Sequence, residues 1–161
     1  MRGGTPATVL LEREGVAHTV HEYEAHAHGA DAHGSYGEAV AAALGVEPER
    51  MLKTLLATVD GRLVCGVVPV AGSLDLKTLA HAVGGKRGVM AAPAVAERST
   101  GYVVGGISPL GQRTRLPTVV DETAELWDTV LVSAGRRGLS VELAPDDLVR
   151  LTGAVVADVS R

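Results

Sequence analysis

Phenylalanine is absent from this 161-residue chain, and aromatic residues of all kinds make up only 2% of it. The core is therefore expected to consist of valine, leucine and alanine, and each tyrosine or tryptophan stands out. Cysteine is nearly absent too, with Cys65 alone. A single thiol excludes an internal disulfide and suits a reducing compartment. No apolar run approaches the roughly 20 residues that a membrane-spanning helix needs; the longest, such as 64–70, are far shorter. The short polar start, Met1 to Thr5, runs into a helical pattern, so no secretory leader is expected and the location predicted is cytoplasmic. An excess of positive charge is also missing. The formal net charge is −4, which argues against strong sequence-independent affinity for nucleic acid. Work on RNA would need locally concentrated basic residues or a partner that supplies affinity.

Some catalytic signatures are missing as well. The sequence holds no Gly-x-Ser-x-Gly elbow and no Walker phosphate loop. The glycines at 101–106 lack the strand–GxGxxG–helix context of a dinucleotide fold. What is present is ordinary for a soluble globular protein: 46% hydrophobic and 21% charged residues. A chain of this length buries roughly 68–70% of its unfolded surface. One domain spanning 1–161, folding without disulfide or metal, is expected.

Helices alternate irregularly with short strands. Thr5-Pro6 opens a helix, with a capping hydroxyl followed by proline at the first helical position, and Gly15 stops it. Residues 16–23 read as a strand, 25–35 as a loop rich in His, Gly and Ala, and 36–44 as a helix. Two β-runs, 51–59 and 62–70, flank Asp60-Gly61, a strong hairpin signal. Helices are expected at 75–83, 93–98 and 145–151, and strands at 118–121, 129–133, 139–143 and 154–158. Residues 101–117 resist assignment. Four glycines and two prolines there indicate a functional or disordered loop, and Val103, Val104, Ile107 and Leu110 argue against disorder. The class is α+β (mixed α/β) with one largely antiparallel sheet.

His26, His28 and His33 crowd one loop, with His18, His21 and Asp31 nearby. The spacing fits no strong zinc motif. Cys65 sits in an apolar strand without an adjacent base, which marks a small buried hydrophobe. Lys53 interrupts an apolar strand and shares a face with Met51, Leu55, Ala57 and Val59. It either snorkels out at the strand end or contacts an anionic or carbonyl group. Lys86, Arg87, Arg98, Arg113, Arg115, Arg136 and Arg137 border loops, most of them beside glycines. They form either a phosphate-facing rim or an ordinary solvated surface.

Several segments together resemble one family. They are Thr5-Pro6-Ala7, Leu52-Lys53-Thr54-Leu55, 68–72 with 74–77, the dense stretch 98–112 continuing to Asp121, and 132–139. The chain is similar to the bacterial YbaK family of Cys-tRNA(Pro) deacylases, relatives of the editing domain inserted in prolyl-tRNA synthetase. The likeness covers nearly the whole chain in order and leans toward the cysteine-specific branch. It implies a barrel-like mixed sheet flanked by helices, and no metal or other cofactor. It implies that activity depends on Lys53, paired with Thr54, which holds the 3′-terminal adenosine or phosphate and orients the ester. Gly105, Gly106 and Ile107 would offer backbone N–H groups to the substrate carbonyl. Ser133 and Gly135 would line the pocket, and Tyr23 and Tyr36 would be its aromatics. The chemistry implied is substrate-assisted, with the bound cysteine's thiol attacking its own carbonyl. This agrees with the lack of a recognisable protein nucleophile or base.

The same reading gives tRNA(Pro) as partner through its acceptor end, gripped by some of Lys86, Arg87, Arg98, Arg113, Arg136 and Arg137. Identity of the tRNA would come from prolyl-tRNA synthetase in a transient ternary complex. One departure touches the pocket: where the family often has aspartate within Gly-Leu-Asp-Ile-Glu-Leu, this chain has Ser140. A deacylase for alanine or serine, and a non-catalytic aminoacyl-tRNA or synthetase-binding module, are the competing readings.

Overall fold

The computed structural model describes residues 4–24 and 35–161. The histidine-rich loop predicted at 25–35, with His26, His28, Asp31 and His33, lies almost wholly outside the described residues.

Helix α1 (Pro6–Arg13) starts as predicted. Thr5 caps it through a reciprocal box with Thr8, and the Thr5 hydroxyl also donates to the Ala134 carbonyl. Strand β1 (Thr19–Glu22) and helix α2 (Ser35–Leu44) follow. Strands β2 (Leu52–Val59) and β3 (Arg62–Pro69) form the hairpin expected of Asp60-Gly61. Both turn residues have positive φ, 49° and 84°, the geometry that matches the twist of the flanking strands.

Helix α3 (Leu76–Ala82), strand β4 (Gly88–Met90) and helix α4 (Pro93–Thr100) lead into the glycine-rich stretch. Strand β5 (Thr118–Asp121), a 3₁₀ turn (Glu122–Leu126), strands β6 (Val130–Arg136) and β7 (Leu139–Leu143), helix α5 (Pro145–Thr152) and strand β8 (Val155–Ala157) complete the order. β4 and the 3₁₀ turn lacked a clear sequence signal, because each is too short to show a period.

The strands form two sheets where one was expected: β1-β7-β6 and β4-β2-β3-β5-β8. Four of the six ladders are antiparallel, and β3–β5 and β5–β8 are parallel. The sheets meet through a bridge from Met51 to Leu131 and a Leu131 N–H to Arg50 carbonyl bond of 3.1 Å. The arrangement is barrel-like, but the sheet is not closed. β4 covers β2 only at residues 57–59, so along 52–55 no described strand pairs with the β2 edge opposite β3.

The largest cluster of buried side chains, including Leu11, Leu52, Leu56, Val67, Val120, Val132 and Val141, fills the space between the sheets and α1. A second, around Val59, Val64, Val68 and Leu79, lies under α3. The alternation predicted for β2 holds: Leu52 and Leu56 enter the first cluster, and Ala57 and Val59 the second.

Residues 101–117 are ordered by their own side chains. The buried Tyr102 hydroxyl donates to the Leu110 carbonyl at 2.6 Å. Ser108 is fully buried, accepts from the Leu110 N–H, and receives the Gln112 side-chain amide on its carbonyl at 2.9 Å. These bonds satisfy buried backbone groups that no ladder reaches.

Candidate active site

At the uncovered stretch of β2, between β4 and β6, a cavity of about 540 Å³ opens, a size that suits a small-molecule moiety. Lys53, Thr54, Tyr23, Tyr36, Val104, Gly105, Ile107, Val132, Ser133, Arg137 and Ser140 are among its lining residues. Among the described residues nothing hydrogen-bonds or ion-pairs with the Lys53 ammonium. Burial holds its pKa below the ordinary 10.5, and the Glu38 carboxylate opposes that shift. An unpaired, partly desolvated cation in an apolar cavity is poised for an anionic or carbonyl group of a ligand.

Two further polar atoms here are under-satisfied. Among the described residues the Thr54 hydroxyl is buried without a hydrogen bond, and the buried Tyr36 hydroxyl makes none of good geometry, with only the Tyr23 hydroxyl beside it. Buried polar groups are almost always bonded, so two orphans lining one cavity mark places for ligand atoms. Burial, with Tyr23 beside it, pushes the Tyr36 hydroxyl up to about 12, so it acts as a neutral donor or acceptor. Arg137 lies over the Tyr36 ring at 5.2 Å from its centroid, a cation–π arrangement.

Thr54→Val tests the orphan. It removes an unsatisfied hydroxyl while keeping the shape, so stability should stay level or rise. Substrate KM should increase by about two- to tenfold, the value of one hydrogen bond. A drop in melting temperature with unchanged KM would mean the hydroxyl serves the fold.

The glycine-rich loop reaches the cavity through Val104, Gly105 and Ile107. Gly105 has φ 93°, a conformation open to glycine and costly for other residues. A Cβ there would lie 2.3 Å from Arg137 Nε. The N–H of Gly106 is committed to the Val103 carbonyl at 2.9 Å, while those of Gly105 and Ile107 have no partner among the described residues.

A model of the aminoacyl-tRNA editing domain matches residues 31–151. The chain belongs to this family. It is 41% identical over 125 residues, 76% of each chain, to the EbsC protein of Enterococcus faecalis, named for Cys-tRNA(Pro)/Cys-tRNA(Cys) deacylation. It is 31% identical over 119 residues, 71% of each chain, to the multifunctional Ser/Thr-tRNA deacylase ProXp-y of Escherichia coli K12. A crystal structure described as a trans-editing enzyme for prolyl-tRNA synthetase superposes with a TM-score of 0.83 and 27% identity, covering 97% of this chain and 95% of that one.

In this editing domain Lys53, Thr54, Tyr23, Tyr36, Gly105, Ile107 and Ser133 come together around one cavity. Gly106 and Gly135 do not line it. Gly106 packs against the backbone of Arg136 and Arg137, and Gly135 against Tyr102 and Thr5. Of the six basic residues expected at the tRNA, only Arg137 borders the cavity. Lys86 and Arg87 donate their backbone N–H groups to the Asp60 carboxylate at the hairpin tip, about 20 Å along β2 from Lys53. Arg113 turns back onto the Arg98 carbonyl.

Ser140, at 3% exposure, does face the pocket. Cys65 is fully buried, its thiol pushed up to about 12, which leaves it inert as a nucleophile. The apolar wall formed by Met51, Val70, Met90 and Pro93 was not singled out in the sequence. Those side chains have the composition of ordinary core, so nothing in the sequence distinguishes them.

Proposed function

We propose that this editing domain is an aminoacyl-tRNA deacylase acting in trans, and that it removes cysteine wrongly attached to tRNA(Pro). One observation carries the reading. Lys53, the orphan Thr54 and Tyr36 hydroxyls and the unbonded Gly105 and Ile107 N–H groups converge on one cavity. Among the described residues no side chain there has the setting of an activated nucleophile. Such a site binds, orients and stabilises charge, which suits an already activated ester. The 41% identity to EbsC supports cysteine as the amino acid.

The mechanism proposed follows. Lys53 and Arg137 hold the phosphate or ribose end of the acceptor strand by charge. The ester carbonyl lies against the Gly105–Ile107 backbone, where preorganised N–H donors contribute about 3–4 kcal/mol each to an oxyanion. The substrate thiol attacks its own carbonyl: an S–C bond forms, the C–O bond to the ribose breaks, and the sulfur's proton passes to the ribose oxygen. A cyclic thioester leaves and water opens it to cysteine. Holding thiol and carbonyl in contact replaces a bimolecular encounter with an intramolecular one.

A second reading, a deacylase for serine or threonine, is favoured by the orphan hydroxyls, which would pair with a substrate hydroxyl, and by ProXp-y as a relative. A panel of tRNAs charged with Cys, Ala, Ser and Pro separates the two. Cys-tRNA should be cleaved fastest; faster release of serine would overturn the thiol-assisted route. The net charge of −4 predicts weak binding to free tRNA. Prolyl-tRNA synthetase is the proposed partner that confers tRNA identity, and the cytoplasm the proposed location. Cys-tRNA(Pro) should therefore be preferred over Cys-tRNA(Cys) only when the synthetase is added. Strong preference by the domain alone would place recognition in the acceptor stem.

A further inference from the structure

Beneath the cavity, on the same face of the β1-β7-β6 sheet, lies a polar cluster that the mechanism above does not use. Ser140 and Glu142 are two apart on β7, and Tyr23 and His21 two apart at β1, so each pair projects to one side. The upper member of each pair lines the cavity. The lower members bond to each other, with His21 Nε2 at 2.9 Å from Glu142 Oε1. The other Glu142 oxygen accepts from the Thr129 hydroxyl and from Arg50 Nη2, both at 2.5 Å. Arg50 also donates to the Thr129 carbonyl at 2.9 Å and to its hydroxyl at 2.7 Å.

Arg50 stands at the seam between the sheets. Its carbonyl accepts from Leu131, the next residue, Met51, forms the bridge to Leu131, and the Met51 carbonyl accepts from Val70 at 2.7 Å. Met51 lines the cavity and packs with Tyr23, Tyr36 and Leu131. Lys53 follows two residues later on the same face of β2. No other strand bridge between the two sheets occurs among the described residues, so this cluster braces the one backbone junction of β2 with β6, beside the shared apolar core.

We infer that Arg50 is a positioning residue: by clamping the Glu142 carboxylate and the Thr129 backbone it fixes the sheet seam that aims Lys53 across the cavity at the pocket wall of β6 and β7. The inference rests on the deacylase reading above. Hydrogen bonds from Thr129 and His21, together with the Arg50 charge, hold the Glu142 carboxyl below the usual carboxylate range against the effect of burial, so the clamp is a charged pair at neutral pH. With both Arg50 and Glu142 side chains only 24% exposed, the pair is shielded from the screening that weakens surface ion pairs.

The experiment is a double-mutant cycle on Cys-tRNA(Pro) deacylation, under single-turnover conditions and well below every variant's melting temperature. Arg50→Met keeps the aliphatic stem and removes the fork. It should lower the deacylation rate at least about tenfold while KM changes little, the pattern of an interaction expressed in the transition state. Lys53→Arg, impaired in the parent, should lose much less in the Arg50→Met background, because residues that act through one another are not additive.

Arg50→Lys keeps the charge but not the fork, so it should fall between Arg50→Met and the parent. Glu142→Gln should match Arg50→Met in direction, and the two replace it should it fail to fold. A merely structural Arg50 would lower the melting temperature and leave the full Lys53→Arg penalty in place, which would overturn the inference. So would parental turnover by Arg50→Met or, in its place, by Glu142→Gln. Undiminished turnover by Lys53→Ala in the parent would instead overturn the reading of the site itself, and this inference with it.

Discussion

Lys53→Ala loses deacylation of Cys-tRNA(Pro) by at least about a hundredfold, the scale of removing one preorganised charged or oxyanion-type contact, and keeps its melting temperature. The two halves of this expectation have one cause. Among the described residues the Lys53 ammonium has no hydrogen bond or ion pair, and burial works against its charge. Removing it therefore costs the fold little and relieves a desolvated cation. The same cation is the one free positive group on β2 facing the cavity, so the substrate loses its anchor. Lys53→Arg should also be impaired, because a planar fork does not replace a compact ammonium.

A pH profile adds an independent check. Burial lowers the pKa, so the charged form is lost on raising the pH before an ordinary lysine would lose it. After subtraction of spontaneous ester hydrolysis, activity should decline on the alkaline side with a midpoint below 10.5. Wild-type-like turnover by Lys53→Ala would remove Lys53 from the mechanism, and a collapse of its melting temperature would assign the residue to the fold.

Adjacent glycines should fail in different ways. In Gly106→Ala the new Cβ would sit 2.7 Å from Arg136 Cα and 2.8 Å from Arg137 N. Backbone cannot swing aside, so the loop or the β6–β7 turn must shift, at about 1–3 kcal/mol for an overpacked site. That corresponds to a loss of several degrees in melting temperature, at about 2–4 °C per kcal/mol. Activity should fall with it, because the turn that carries Gly105 and Ile107 moves.

In Gly105→Ala the clash is with the Arg137 guanidinium, the end of a flexible side chain. The stability cost is mainly the left-handed backbone, about 1–2 kcal/mol. The rate should nonetheless fall at least about tenfold, as Arg137 is driven off Tyr36 and the unbonded N–H groups are displaced. Circular-dichroism melts and single-turnover rates on both variants decide the matter. Parental turnover by Gly105→Ala would exclude the loop as a donor. Equal proportional losses in both variants would make Gly105 structural as well.

The Gly106 N–H shows where reading by resemblance runs out. In sequence, Gly105, Gly106 and Ile107 are three consecutive candidate donors. In the fold the middle one closes a turn onto Val103 and packs on the neighbouring hairpin. Which amide of a glycine pair is free depends on the hand of the turn, and either hand is open to glycine. The basic residues divide for a similar reason. Arg136 and Arg137 are neighbours, yet only Arg137 reaches the cavity, because β6 ends at Arg136 and successive residues there project to opposite sides.

Local chemistry determined much of this protein before any tertiary contact is considered. The Thr5-Pro6 cap, the Asp60-Gly61 hairpin and the alternation of β2 are encoded within a few residues, because caps, turns and two-residue periodicity are short-range effects. The order of segments from 52 to 139 carries the family. Tertiary structure alone decided that the strands form two sheets joined at Met51 and Leu131. It left 52–55 without a second pairing strand among the described residues, and it brought Lys53, Tyr36, Gly105 and Arg137 from four distant segments to one cavity. It also left the Thr54 hydroxyl without a partner, and the Tyr36 hydroxyl with only Tyr23 beside it, among the described residues. A buried polar group without a partner is a property of everything packed around it, and no local pattern of residues encodes that.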